Sequence, residues 1–346
     1  MIQLFGRLPN PDKNFIREFQ TEGFDSRVWE LYLFGLSQQV GLQATRPHDR
    51  PDFLFTRNGV SVWLEAVTSH AGKDVAPMIP DEDDPGYQDS LRQRYGHFLP
   101  KRLGSTLYSK LTARYWELDH VRGRPLVIAI EDFHDADPFR DSSSSLMRYL
   151  YARETTIKSA QGYPLELGTR PIQTHAFGSS AIPSGFFDLP GAENVSAVLF
   201  SNSGTVPKFN RIGYDKAWHS TFRLLRIGTR VDHDDNAIVP APFSYVVGYD
   251  SHEEDWEEGL EIFHNPRARY PVPDGFFGCS MEHHPSNGTA YGGKEQFHPL
   301  MSVTEVHPRS TSIRLLRKRA HSFVADMTAA FKASEPAVRT HFGLQT

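Results

Sequence analysis

Three carboxylates, Glu30, Asp52 and Glu65, stand among residues whose types otherwise belong in a protein core. Glu30 sits inside Val28-Trp29-Glu30-Leu31-Tyr32-Leu33-Phe34, Asp52 precedes Phe53-Leu54-Phe55, and Glu65 lies within Val62-Trp63-Leu64-Glu65-Ala66-Val67. Burying an ionised carboxylate costs several kcal/mol unless a cation or a set of donors compensates it. A hard divalent cation such as Mg²⁺ (or Mn²⁺) is bound through oxygen, commonly by one or two carboxylates together with water and phosphate. Asp52 and Glu65 are the expected metal ligands, the Ala66 carbonyl can complete the shell, and Glu30 supplies a further oxygen directly or through water. Such a cation polarises a phosphodiester and lowers the pKa of a water that attacks phosphorus, and a nearby lysine orients that water or stabilises developing charge.

The elements that must position these groups follow from pattern. Residues from Asp25 or Ser26 to about Val40 are expected to form a helix buried on most sides, with Ser26 as N-cap and Gly41 as stop. Asp52 to Thr56 alternates as a strand, Asn58-Gly59 is a hairpin signal, and Val60 to Thr68 returns with Ser61, Trp63, Glu65 and Val67 on one face. Residues 69 to 103 lose periodicity and suggest an insertion, a flap over one face. A second helix is expected from Gly104 to about Leu118, striped with Leu107, Leu111, Tyr115 and Leu118, with Lys110 and Arg114 at its edge. Leu126 to Ile130 suits a central strand. Helix, strand, hairpin, helix, strand defines an α/β core with a mixed central sheet flanked by helices.

Pro51-Asp52, then Glu65 thirteen positions later, in this order of elements and with an acidic residue in the first helix, resembles the PD-(D/E)xK nuclease superfamily in a degenerate, uncharacterised bacterial branch. The resemblance covers roughly residues 24 to 131. It implies a restriction-endonuclease-like core over residues 1 to 131, a metal-dependent hydrolase of nucleic acid with DNA favoured, and a role in restriction, repair or defence. Glu30, Asp52 and Glu65 would be its catalytic carboxylates. One departure stands out: the family's lysine would fall at Val67, and Lys110 on the following helix is the matching substitute. Arg114 and Arg102 are candidates to bind phosphate. If Lys110 does not reach the cleft, the alternative is an inactive nuclease-like fold that binds nucleic acid or protein.

Residues 132 to 346 are expected to elaborate this core within the same structural domain. Helices are expected over Ser142 to Ala152 and Thr311 to Ala333, the latter with Ile313, Leu316, Ala320, Phe323, Met327 and Phe331 on one side. Strands are expected over Asn194 to Ser201 and Phe243 to Val247, and loop or edge structure over Pro164 to Thr174. Glu131-Asp132-Phe133-His134, His233-Asp234-Asp235, His283-His284, Lys208 and Arg211 are weaker site candidates. Asp250 to Glu258 suggests a solvated acidic face. Arg314, Arg317, Lys318 and Arg319 crowd the start of the last helix, where its dipole disfavours cations, so an acidic partner is required, more naturally within the chain than on a phosphate backbone.

The bulk properties narrow the class. The 346 residues carry a net charge of −5, which argues against non-specific coating of nucleic acid. With 39% hydrophobic residues the chain can build a core. The single cysteine, Cys279, can form neither an internal disulfide nor a thiolate metal site alone. No long apolar run or signal-peptide layout is present, so a cytoplasmic protein with no membrane partner is expected, with a homodimer or partner protein left open.

Overall fold

The computed structural model describes residues 1–70, 78–80, 84–133, 142–158, 166–214, 220–234, 237–284, 289–291 and 296–341. The chain divides into two compact units. One comprises Met1–Arg153, Pro171–Thr205 and Gly259–Lys294, and the other Glu154–Arg170, Val206–Glu258 and Glu295–Thr346.

The first unit is built on helix α1 (Phe24–Gln39), strands β1 (Gln43–Thr45), β2 (Phe53–Arg57) and β3 (Val60–His70), helix α2 (Leu99–Thr112), β4 (Leu126–Phe133) and α3 (Ser142–Tyr151). Strands β5 (Ala197–Ser201), β6 (Leu260–His264), β7 (Met281–His284) and β8 (Thr289–Tyr291) complete it. The eight strands lie in one mixed sheet in chain order, β1 to β8. The β1–β2 and β2–β3 pairs are antiparallel, whereas β3, β4 and β5 run parallel. The α/β class and the mixed sheet are as expected, but half of the strands come from beyond residue 131.

Local chemistry explains the first elements. Asn58 and Gly59 both adopt positive φ, 51° and 80°, the backbone that a two-residue hairpin turn demands. Helix α1 is buried from Val28 through Ser37, because an apolar run with no polar stripe must be covered on every side. It starts at Phe24, two residues before the expected cap, with no side-chain cap; the Ser26 hydroxyl instead hydrogen-bonds that of Thr68 at 3.2 Å. Gly41, at φ 73°, lies just past the helix end.

Alternation along β3 and β4 sends Val67, Ile128 and Ile130 into a cluster with Leu103, Leu107 and Leu111 of α2 and Leu146 and Leu150 of α3. The opposite side meets α1, whose Trp29 indole N–H donates to the Ala129 carbonyl at 3.1 Å. Of the segment expected as a flap, residues 71–77 and 81–83 lie outside the described residues, and the part from Tyr87 onward is helical instead. Residues Tyr87–Gln93 and Arg94–Phe98 run directly into α2, and Arg94, Phe98, Leu99 and Lys101 are buried. Their apolar residues are spaced for packing at the junction, which a single amphipathic stripe does not capture. Helix α2 therefore starts five residues before Gly104 and ends at Thr112, because Arg114 takes a left-handed backbone, φ 51°.

The second unit holds an antiparallel sheet of Ala241–Val246, Phe222–Arg230 and Pro299–Pro308, with Leu316 and Ala320 of the helix Ile313–His341 packed on Leu225 and Val246. Of the six residues expected to form that helix's apolar side, only Leu316 and Ala320 are fully covered. The expected acidic face holds for Glu253 and Asp255, which are exposed, but not for the side chains of Glu254 and Glu258, which are buried. Arg211 Nε meets Glu254 at 2.5 Å, Arg226 Nη1 meets Glu258 at 2.8 Å, and Lys208 Nζ donates to the Glu258 carbonyl at 2.6 Å. Burial opposes ionisation of Glu254, but Arg226 and Arg211 overcome it and hold its carboxyl down to about 2. Burial pulls Lys208 down to about 8. Two of the four cations at the start of the last helix meet acidic partners in the chain: Arg317 pairs with Asp250 at 2.7 Å and Arg319 Nε with Glu305 at 2.6 Å.

Glu131 and Asp132 at the end of β4 are also buried, and Glu131 Oε1 accepts the Gly204 N–H at 2.7 Å. A Cβ on Gly204 would lie 2.9 Å from Glu131 Oε2 and 3.0 Å from Trp29 Cε3. Gly204→Ala is therefore expected to destabilise the protein by about 1–3 kcal/mol through overpacking. Urea denaturation measures this; a change near zero would show that Glu131 and Trp29 can move aside.

Candidate functional site

The hairpin register places the two central carboxylates. Phe53 pairs with Leu64 and Leu54 with Trp63, so one step further sets Asp52 opposite Glu65. The strand begins at Phe53, and Asp52 sits just outside it, where its side chain is free to fold back over β3. Its Oδ2 accepts the backbone N–H of Ala66 at 2.7 Å. Glu65 lies between Trp63 and Val67 on the face that meets α2, and its side chain is 7% exposed.

Lys110, on the last turn of α2, reaches this carboxylate: its Nζ lies 2.7 Å from Glu65 Oε1. The Tyr115 hydroxyl donates to the same oxygen at 2.8 Å. Burial, and then the negative charge of Glu65, raise the Tyr115 phenol pKa, so it remains a donor. Tyr115 was expected only as part of an apolar stripe; its ring does pack with Trp63 and Leu126, while its hydroxyl does polar work. The early end of α2 produces this placement. Val67, where the resemblance puts the lysine, is packed against the α2 apolar cluster.

Glu30 is buried but differs from expectation. Its Oε1 is 2.5 Å from Arg27 Nη1 and its Oε2 is 2.9 Å from Arg46 Nη1. Two guanidinium groups thus occupy the carboxylate that was expected to offer oxygen to a metal. Arg46, which pattern alone did not mark, also donates from Nε to the Asp52 carbonyl at 3.1 Å, and its Nη2 lies 3.9 Å from Asp52 Oδ1. It links the Glu30 ion cluster to Asp52. An arginine in a short linker before a proline carries no sequence signal for this role.

Arg102 donates to the His70 carbonyl at 3.1 Å, and Arg114 pairs with Glu117 at 2.6 Å. Among the described hydrogen bonds and ion pairs, neither meets Asp52 or Glu65. Arg114 instead lines a cavity of about 1340 Å³ with Arg122, Arg124, Arg269, Tyr108 and Trp116, a lining that does not include Asp52, Glu65 or Lys110. Of the weaker candidates, Lys208 and Arg211 belong to the buried ion network, and His233 Nε2 lies 3.0 Å from the Gln296 carbonyl. His283 Nε2 lies 2.6 Å from Glu261 Oε2. His134 and Asp235 lie outside the described residues.

The electrostatics mark Asp52 as the unbalanced group. Burial first, then the charges of Glu65 and Glu30, push its pKa up to about 8, against the Ala66 hydrogen bond and Arg46, which favour the anion. Its side chain nevertheless remains 20% exposed. Among the described residues, both hydrogen bonds to Glu65 fall on Oε1 and the Asp52 side chain takes its own on Oδ2. Glu65 Oε2 and Asp52 Oδ1 are then the oxygens a hard divalent cation would take, and such a cation would relieve the repulsion between them. The donor set fits Mg²⁺ or Mn²⁺. Compared with family models, curated proteins and solved structures, the chain matches none. Among the described residues no helix is long and apolar enough to cross a membrane.

The sign of the pH effect follows from Asp52. Unfolded aspartate loses its proton near pH 4, whereas the folded group keeps it to about pH 8. The stability this proton contributes is present below about pH 4 and is lost as pH rises towards 8. Without divalent metal, Asp52→Asn is therefore expected to be more stable than the parent at pH 8 by roughly 1–3 kcal/mol and nearly equal to it at pH 4. Urea denaturation in EDTA at both pH values measures the difference. A variant less stable at pH 8 would show that the carboxylate anion is already compensated.

Proposed function

We propose that the protein is a divalent-metal-dependent nuclease with a PD-(D/E)xK-like core spanning α1 to β4, the rest of the chain elaborating it. The observation that carries this reading is the convergence of Asp52, Glu65 and Lys110, from the residue before β2, from β3 and from the following helix. In this reading Asp52 and Glu65 hold Mg²⁺ or Mn²⁺, which when bound polarises the phosphodiester and acidifies a water. Lys110 holds the attacking water or the negative charge that develops on phosphate. Tyr115 fixes the Glu65 carboxylate so that it presents its other oxygen. Glu30 acts at one remove, anchoring Arg46 beside Asp52.

DNA is the favoured substrate by the superfamily resemblance, with restriction, repair or defence as the setting. Arg122, Arg124 and Arg269, with Tyr108 and Trp116, offer a surface where phosphates and stacked bases can be held. A second reading, a nuclease-like fold that only binds, is favoured by Val67: its apolar packing removes the usual lysine, and Lys110 is already paired with Glu65.

Labelled single- and double-stranded DNA and RNA, incubated with EDTA, Mg²⁺ or Mn²⁺, separate the readings. Cleavage is expected only with metal, is expected to vanish in Asp52→Ala and Glu65→Ala, and is expected to fall roughly 10²-fold in Lys110→Ala. Binding without cleavage, unchanged in Lys110→Ala, would replace the enzyme with the binding module. Cleavage that survives both carboxylate substitutions would overturn the site.

A further inference from the structure

Strands β6 and β7 are parallel neighbours, Ile262 pairing with Glu282 and Phe263 with His283. One step further aligns His264 with His284, and their rings stack with centroids 4.2 Å apart and planes 14° from parallel. Glu282, two residues before His284, projects from the same face of β7, and Asp274 comes from the connection between the strands. The four side chains offer one ligand atom each, all within 4.8 Å of one another.

The separations are informative. His264 Nε2 is 3.4 Å from Glu282 Oε2, His284 Nε2 is 3.8 Å from the same oxygen, and His284 Nε2 is 3.7 Å from Asp274 Oδ1. These are at or beyond the outer limit of a hydrogen bond. Zinc ligated at its usual distances sits in a tetrahedron whose edges are about 3.3–3.6 Å. These three spacings come within about 0.2 Å of those edges, and the remaining pairs lie within 4.8 Å, so an ion would draw the cluster inward and turn the two stacked rings towards itself. The other carboxylate oxygen of Glu282 accepts the Gly275 N–H at 2.9 Å, the outer hydrogen bond that orients a metal-binding carboxylate.

We propose that His264, Asp274, Glu282 and His284 form a zinc site that clips β6, β7 and the segment between them. Two imidazoles with two carboxylates suit Zn²⁺ rather than Mg²⁺, which prefers oxygen alone. Parallel strands need a crossover, usually a helix. Here residues 265 to 280 contain neither helix nor strand, so a metal contributed by both ends and by Asp274 supplies the missing constraint. His264 is buried while Asp274 is 80% exposed, so the ion can enter from solvent. The buried Cys279 takes no part.

Elemental analysis of the purified full chain, free of any histidine tag, and titration with ZnCl₂ alone test the site. One zinc per chain is expected in the parent and in Asp52→Ala, with affinity lowered roughly 100-fold or more in His264→Ala and His284→Ala. Zinc held equally well by the double histidine variant, or lost in Asp52→Ala, would overturn the assignment. Because a histidine variant can misfold, the parent is also loaded with Co²⁺. Intense visible bands of four-coordinate cobalt, without sulfur charge-transfer absorption, support the site. Weak six-coordinate bands, or no binding, would refute it.

Discussion

The pairing of β2 with β3 sets two carboxylates against each other at the end of a hairpin, and much of the first unit follows from that placement. Two negative charges side by side in a partly dry setting repel strongly, so the surroundings must bring positive charge or donors to them. The Ala66 N–H serves Asp52, while Lys110 and Tyr115 serve Glu65. Lys110 can reach only because Leu103, Leu107 and Leu111 seat α2 on the same sheet face as Glu65. Tyr115 can reach only because the chain leaves the helix at Arg114 and turns back. A one-residue slip of the register would send Glu65 to the opposite face and leave both donors without their acceptor. The asparagine–glycine turn that fixes the register is thus part of the site, although it touches none of its polar atoms.

The parts of this arrangement legible in the sequence are those that depend on short-range pattern. The hairpin, the apolar helix, the α2 stripe and the β4 strand all follow from periodicity and turn chemistry, and they bring Asp52, Glu65 and Lys110 together. What escaped depends on contacts between distant segments. Arg46 is an unremarkable linker residue until the fold places it between Glu30 and Asp52. Tyr115 has the spacing of a core residue, and its second role comes from a helix end that periodicity did not locate. The acidic run Asp250 to Glu258 looks solvated because composition cannot show that Arg211, Arg226 and Lys208 will converge on it. The sheet's last three strands are short and mostly flanked by glycine and proline, so their membership depends on pairing rather than on propensity.

Buried charge is handled differently at different sites, and the contrast bears on where chemistry can occur. In the second unit, three cations surround Glu254 and Glu258, so both of these carboxylates have guanidinium or ammonium partners; Glu254 is held firmly ionised. Such a network is closed, with nothing left for a ligand to satisfy. The Glu30 cluster of the first unit has Arg27 and Arg46 as partners, yet burial still raises the Glu30 pKa against them. Asp52 and Glu65 differ. They carry two carboxylates against one lysine, with Arg46 only at 3.9 Å from Asp52. The deficit appears as a proton that Asp52 retains to about pH 8. A divalent cation would displace that proton, and metal affinity would then weaken as pH falls below 8, because the proton and the metal compete for the same oxygens. A group that is ill-compensated yet still open to solvent is a place where binding energy can be gained, whereas a saturated ion cluster can only hold the fold in place.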